Sequence, residues 1–325
     1  AVDAAAREAS VRELVRIGRQ ATVEGGHSYE LLYGLGGLLS ALLFARTHLK
    51  GGADAIPDDL LLGLVDRIIV DGRRSRPTSG SPSLGGVGLG LAKRPHLHVG
   101  QALQAGEGTC TSADEPDALV LEYEWHGKNY LGGAHGVAGI MLVIMQAMHL
   151  IYGQALLDTG RALARRERDG QTKPPPSPTG AAIPAEAAGP TRAGRGAVPV
   201  AAVHGAGGSG GISAASAAMM LPEEAVRQLR DVRATVDAVA DEQLPSGNFP
   251  SQPGKSEDRL VQWCHGAPGV IPTLTKAYEV FGDCRYLRAA ETAGDVVWAR
   301  GLLRKGNGLC HGVAGNAYAF LSLRR

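Results

Sequence analysis

The sequence predicts an all-α fold built from a repeated helical hairpin, and three observations support this prediction. The motif Gly-x-x-Gly followed by an apolar run recurs along the chain. Between the copies lie more charged segments whose apolar residues recur every three to four positions, as in amphipathic helices. Patterns typical of strands are scarce, and aromatic residues make up only 5% of the chain. We therefore expect one domain over residues 1–325, with helices stacked around a common core.

The repeat has four clear copies and one degenerate copy. The clear copies begin at Tyr33, His135, His265 and His311, and the degenerate copy begins at His204. After each pair of glycines the apolar residues follow helical spacing, which predicts one buried face for each of these inner helices. Glycine at the head of a helix permits close backbone approach and positive φ, and exposed N–H groups there favour thiolates and other anions. We expect the heads of the inner helices to gather at one end of the molecule.

The remaining helices can be placed in chain order. The first 20 residues form a charged amphipathic helix, and Leu31–Ala45 forms an apolar one. Leu31–Ala45 is shorter than the roughly 20 apolar residues that span a membrane, so it is predicted to be a core helix and no transmembrane segment is expected. Charged segments beginning at Pro57, Pro222 and Tyr286 are predicted to be outer helices that cover the inner ones.

Two stretches interrupt the pattern. Residues 73–116 are rich in Gly, Ser and Pro, and residues 171–200 combine Ala, Gly and Pro. Such compositions bury too little apolar surface to offset the entropy of ordering, so both stretches are expected to be flexible insertions.

Composition limits the classes of partner. The chain carries 33 basic and 32 acidic residues, a net charge of +1, so its charge favours neither nucleic acid nor an anionic membrane. The N-terminal segment lacks the apolar core of a secretory signal. We therefore expect a cytoplasmic protein, with a peripheral position at the plasma membrane as the alternative.

Two of the four cysteines precede His-Gly, and this pairing indicates metal binding. Cys264, Cys310 and His311 supply two thiolates and an imidazole, the ligands that zinc takes in sites with an open fourth position. His265 could close the set to four ligands and make a structural site. Adjacent residues seldom both bind one metal, which argues against His265 and equally against His311, so spacing alone leaves this choice open. A single such cysteine would more often be a small buried hydrophobe.

Three longer motifs carry a resemblance to a known family. "EWHGKNYLGGAHGVAGI", "DRLVQWCHGAPGVI" and "GLLRKGNGLCHGVAGNAYAFL" resemble the lanthionine synthetase C-like family, in its branch of eukaryotic LanC-like proteins. The resemblance extends over about residues 28–75, 118–152 and 241–323. It implies a toroid of seven helical hairpins with zinc at one end of the central cavity, held by Cys264, Cys310 and His311.

The resemblance also implies an activity. Eukaryotic relatives bind glutathione and are similar to enzymes that add it to dehydroamino acids in proteins, so glutathione and a dehydroamino-acid-containing peptide or protein are the expected partners. The histidine of "AHG", here His135, is implied as the acid/base, and the lysine of "KGxG", here Lys305, as a contact to glutathione. The residues alone are equally consistent with His135 as a packing or capping residue. A lysine in the context of Lys305 is most often a solvated charge at a helix end, so its role rests mainly on the resemblance.

The sequence departs from the family pattern in the number of hairpins. The copy at Tyr33 resembles the third hairpin and the copy at His311 the sixth, so the toroid is expected to be incomplete. Two further functions therefore compete with the enzyme: a non-catalytic adaptor in signalling that binds zinc and glutathione, and an inactive truncated member of the family.

Overall fold

The computed structural model describes residues 4–74, 120–171 and 220–324. Over these ranges the chain is helical apart from loops and one very short hairpin, as predicted. The helices are α1 (Ala4–Val23), α2 (Leu35–His48), α3 (Gly52–Ala55), α4 (Asp58–Arg74), α5 (Val137–Gln171), α6 (Glu223–Asp241), α7 (Ala267–Phe281), α8 (Cys284–Arg300) and α9 (Val313–Leu323), and the antiparallel strands are β1 (Glu124–Trp125) and β2 (Lys128–Asn129). The degenerate copy at His204 and nearly all of both predicted insertions lie outside the described residues.

The larger helices form two layers. The inner layer consists of α2, α5, α7 and α9, and each of these helices packs against the next in that order. The outer layer consists of α1, α4, α6 and α8, and helix-to-helix contacts join α1 to α2, α4 to α5, α6 to α7 and α8 to α9. This is the all-α, two-layered arrangement expected of stacked helical hairpins.

The inner helices supply the centre of the core. On α5, the side chains of Ile140, Ile144 and Met148 are fully buried, and on α7 Val270 and Leu274 are fully buried. These are positions where the sequence predicts an apolar face. Side chains buried to this extent each stabilise the fold by roughly 1.5–3 kcal/mol through removal from water.

Charged side chains join the outer helices to one another. Arg19 on α1 pairs with Asp59 on α4 at 3.0 Å, and Arg73 at the end of α4 pairs with Asp231 on α6 at 2.6 Å. Arg73, the first residue of the first predicted insertion, therefore lies in α4.

One helix, residues 137–169, is long and apolar enough to cross a membrane by length and composition. At Gly153 the backbone has φ 51° and ψ −127°, which interrupts the helix with a kink. The part before the kink packs its apolar face into the core against α2 and α7. These are properties of a core helix, and the described ranges contain no clear transmembrane segment.

Candidate metal and proton-transfer site

The heads of the four inner helices lie side by side, as the repeat predicts. We use "head" for the loop and first turn at each Gly-x-x-Gly. A backbone hydrogen bond joins each head to the next: Leu31 N–H to the Ala134 carbonyl (2.9 Å), Gly133 N–H to the Trp263 carbonyl (3.3 Å), and Cys264 N–H to the Cys310 carbonyl (3.0 Å). The chain thereby brings segments far apart in sequence to one end of the inner layer.

The second glycine of each motif permits its loop to fold back on the helix. A Cβ atom added at Gly139, Gly269 or Gly315 would lie 2.1, 2.0 or 1.7 Å from the carbonyl oxygen six residues earlier. No side chain fits at such distances, so close approach explains the glycine. Positive φ is required at Gly266, where φ is 104°.

The N–H groups in the first turn of the inner helices donate to acceptors within the chain, and not to thiolates or other anions as predicted. On α5 and α9 they donate to the chain's own loops: Val137 to the Tyr130 carbonyl at 2.9 Å, and Val313 to the Gly306 carbonyl at 3.1 Å. On α7, Ala267 N–H donates to the Asn248 side chain at 2.8 Å. The expectation that these groups serve thiolates is wrong at these three positions, because the chain supplies their acceptors: loop carbonyls on α5 and α9, and the Asn248 side chain on α7.

Cys264, Cys310 and His311 converge. Their potential ligand atoms all lie within 4.8 Å of one another, and His265 does not belong to the group. A tetrahedral metal about 2.0–2.3 Å from each ligand requires separations up to about 3.8 Å, so small side-chain adjustments suffice. Two sulfurs and one imidazole fit zinc with a fourth position open.

Burial differs strongly among the three residues. Cys264 is 5% exposed, Cys310 is half-buried and His311 is exposed. Burial, together with the neighbouring Cys310 thiol, raises the pKa of Cys264 to about 12 in the metal-free protein. The thiol is therefore protonated there at neutral pH, and a metal that binds must displace its proton.

Lys305 lies beside this cluster. Its ammonium Nζ donates to Gln262 Oε1 at 3.2 Å, and Gln262 Nε2 donates to Cys264 Sγ at 3.2 Å. Lys305 is itself exposed. A positive charge in this position is available to a carboxylate from solution.

His135 is held by a buried carboxylate. Its Nδ1 lies 2.9 Å from Oε2 of Glu30, a residue only 1% exposed. The same carboxylate accepts from the backbone N–H groups of Leu32 (2.8 Å) and Tyr33. Because backbone donors occupy both oxygens, we assign Nδ1–H as the donor to Glu30, which leaves Nε2 as the ring nitrogen that can exchange a proton.

An aromatic wall surrounds His135. Trp125 of β1 stacks on its ring with centroids 3.8 Å apart and planes 4° from parallel. His265 lies with its ring centroid 6.3 Å from that of His135, and Tyr130 contacts both rings. Burial, aided by the charges of His135 and Lys305, lowers the pKa of His265. The hydrogen bond to Glu30 thus fixes the tautomer of His135, and the contacts with Trp125 and Tyr130 fix the orientation of its ring.

Three of these residues were missed by the sequence analysis: Glu30, Trp125 and Gln262. Glu30 lies 105 positions before His135 and outside its motif, so no local spacing links the two. Trp125 and Gln262 stand inside quoted motifs, but no chemistry was assigned to them. The available signal was that Trp125 directly precedes His126-Gly127 and that Gln262 lies three positions before His265 of the α7 head.

Comparison with known proteins gives consistent results. A family model described as lanthionine synthetase C-like protein matches residues 7–174 and 201–325. The chain is 47% identical over 294 residues to the protein named glutathione S-transferase LANCL1 of Danio rerio, an alignment covering 90% of this chain and 46% of that protein. It is 30% identical over 302 residues to LanC-like protein GCL1 of Arabidopsis thaliana, covering 92% of this chain and 43% of the relative.

The chain thus spans less than half the length of these two curated relatives. The family model nevertheless covers most of the chain, including every head described here. Together with the all-α fold, this match identifies the chain as a member of the lanthionine synthetase C-like family.

Proposed function

We propose that this protein is a zinc-dependent enzyme that adds the thiol of glutathione to dehydroamino acids in peptides or proteins. The observation that carries the proposal is the convergence of Cys264, Cys310 and His311 within 4.8 Å. The printed name of the Danio rerio relative, a glutathione S-transferase, supports glutathione as the thiol.

Cys264, Cys310 and His311 would hold the metal. A zinc ion bound there lowers the pKa of a thiol that coordinates to it, so that the nucleophilic thiolate predominates at neutral pH. The protein contributes the donor set and a partly exposed edge at His311, through which the thiol substrate enters.

His135 moves the proton. Its Nε2 accepts the proton of the glutathione thiol, and the Glu30 carboxylate stabilises the resulting imidazolium through Nδ1–H. The sulfur forms a bond to the β-carbon of the dehydroamino acid while the π electrons of the C=C bond move to an enolate. His135 then returns the proton to the α-carbon. The net reaction adds S–H across the double bond, and every proton is accounted for.

Lys305 binds a carboxylate of glutathione. Its exposed ammonium already has one neutral acceptor, Gln262, and can accept a charged partner on its solvent side. Such a contact would bring the tripeptide beside the metal ligands and orient its thiol.

Mass spectrometry of a dehydroalanine peptide incubated with glutathione tests the proposal. The parent should form the adduct faster than free glutathione does. His135→Ala should retain zinc and glutathione binding but lose about 10²–10⁴-fold in rate, and Cys310→Ala should lose both zinc and activity. His149→Ala, on α5 but outside the site, is the matched control and should behave like the parent.

If the parent binds zinc and glutathione but does not accelerate formation of the adduct, the proposed enzymatic activity is refuted. That result would favour the adaptor instead.

A further inference from the structure

The side chain of Gln262 connects two parts of the site. This residue is only 6% exposed. Its Oε1 accepts from the Lys305 ammonium and its Nε2 donates to Cys264 Sγ, both at 3.2 Å. The amide orientation is set by Lys305, because an ammonium can only donate and must therefore face Oε1, which leaves Nε2 toward the sulfur.

The backbone fixes where this amide lies. Gln262 N–H donates to the His265 carbonyl at 3.1 Å, and His265 N–H donates back to the Gln262 carbonyl at 3.0 Å. The turn between them contains Cys264, whose own N–H donates to the Cys310 carbonyl. The amide and the sulfur therefore belong to one tight turn that is fastened to the neighbouring head.

We propose that Gln262 is a positioning residue that orients the Cys264 sulfur for the metal and couples it to Lys305. The N–H donated to sulfur stabilises the thiolate and restricts its direction. The ammonium on the other end of the amide polarises it and strengthens that donation. A carboxylate that binds Lys305 competes with Gln262 for the ammonium, so binding of the substrate and the metal site are linked through one amide.

This inference rests on the metal site of the proposed function. Partners that orient a metal ligand typically contribute about 10–100-fold to metal affinity. We expect an effect of that size when the amide is removed. We expect a smaller effect in the same direction when Lys305 is removed, since the N–H to sulfur remains.

Cobalt(II) is the probe, since its thiolate charge-transfer and d–d absorption reports both affinity and ligand geometry. The parent is titrated with cobalt alone, followed by Gln262→Leu, Gln262→Glu, Lys305→Met and the double variant Gln262→Leu/Lys305→Met. Gln262→Glu preserves the size of the side chain and the acceptor for Lys305 but loses the donor to sulfur. The matched control is Gln228→Leu. This glutamine is also 6% exposed, but it lies on α6 and its amide donates to the carboxylate of Asp66 on α4.

Both Gln262 variants should bind cobalt about 10–100-fold more weakly and show a shifted charge-transfer band, whereas Gln228→Leu should match the parent. The double variant should lose no more affinity than Gln262→Leu, because the effect of Lys305 passes through the amide. Unchanged cobalt affinity and spectrum in the Gln262 variants would overturn the inference, as would strictly additive losses in the double variant. If Gln262→Leu does not fold, the cobalt affinity and spectrum of Gln262→Glu alone test the inference. A parent that binds no cobalt overturns the metal site itself, and the inference with it.

Discussion

Replacing Gly132 by alanine should disturb the metal site without changing a ligand. An added Cβ would lie 2.1 Å from the Cys264 carbonyl oxygen and 2.9 Å from the Cys264 carbonyl carbon. Ordinary carbon–oxygen contacts begin near about 3.3 Å, so the Cys264 backbone must move by roughly 1.2 Å. The atoms in the way are backbone, which cannot rotate aside as a flexible side chain can.

The displacement has two consequences of different size. Overpacking of this kind destabilises a fold by about 1–3 kcal/mol, which lowers the melting temperature by several degrees. The same movement strains the hydrogen bond from Cys264 N–H to the Cys310 carbonyl, which joins the two cysteine-bearing turns. A misplacement near 1 Å in a reacting constellation costs on the order of 10²-fold in rate. We therefore expect loss of activity and weaker zinc retention to exceed the loss of stability.

The structure provides a matched control for this substitution. Gly308 stands four residues before the first glycine of the α9 head, as Gly132 does in the α5 head, and a Cβ there has no atom within 4 Å. Gly308→Ala should retain the melting temperature and zinc content of the parent, as measured by circular dichroism and elemental analysis. If Gly132→Ala behaves like Gly308→Ala in both assays, the close approach does not hold the site together and the reasoning is refuted.

Three further results follow from the same geometry. Cys310→Ala should abolish near-stoichiometric zinc in elemental analysis, whereas Cys284→Ala, an exposed cysteine outside the converging group, should leave it unchanged; equal zinc in both variants would exclude the assignment. Glu30→Gln should slow adduct formation, by up to the roughly 10⁴-fold seen when a carboxylate that fixes a histidine tautomer is lost, while zinc content stays constant. Burial alone would raise the pKa of Asp258, but hydrogen bonds, the largest from Asn248, outweigh it and hold that pKa below its ordinary 3.8. Its stabilising contribution should therefore be complete well above pH 3.8 and shrink as the pH falls towards the lowered pKa, so the difference in denaturant unfolding between the parent and Asp258→Asn should be larger at pH 5 than at pH 2.

The parts of the structure that could be predicted are those carried by local pattern. Apolar spacing after each Gly-x-x-Gly identified the inner helices, and the repetition of Cys-His-Gly identified the two cysteines and two candidate histidines. In both cases the information lies within a few positions of the motif. The choice of His311 over His265 came from the family resemblance. Apolar residues that recur every three to four positions in charged segments were also sufficient to place the outer helices α4, α6 and α8.

The parts that could not be predicted depend on which heads become neighbours. Glu30 binds His135 only because the α2 head lies beside the α5 head, a fact that no spacing contains. The first-turn N–H groups were expected to be open to anions, yet loop carbonyls accept from them on α5 and α9, and the Asn248 side chain does so on α7. Both outcomes depend on tertiary structure, since they follow from the contact between segments and from the backbone path that glycine allows.

Comparison of equivalent positions in the heads shows how one repeated backbone supports the two proposed chemistries, metal binding and proton transfer. The residue before the first glycine is aromatic in every described head. The residue two before that glycine is Cys only in the adjacent α7 and α9 heads, where the proposed metal ligands converge. The α5 head has Ala134 in that place, so no cysteine precedes His135, the residue for which we propose proton transfer. Four residues before the glycine stand Glu30 in the α2 head and Gln262 in the α7 head, and each bonds to a side chain of the following head, His135 and Lys305. Polar side chains at this one position therefore connect neighbouring heads. In the other two heads the position is glycine: Gly132 of the α5 head packs closely against the Cys264 backbone, and Gly308 of the α9 head faces open space.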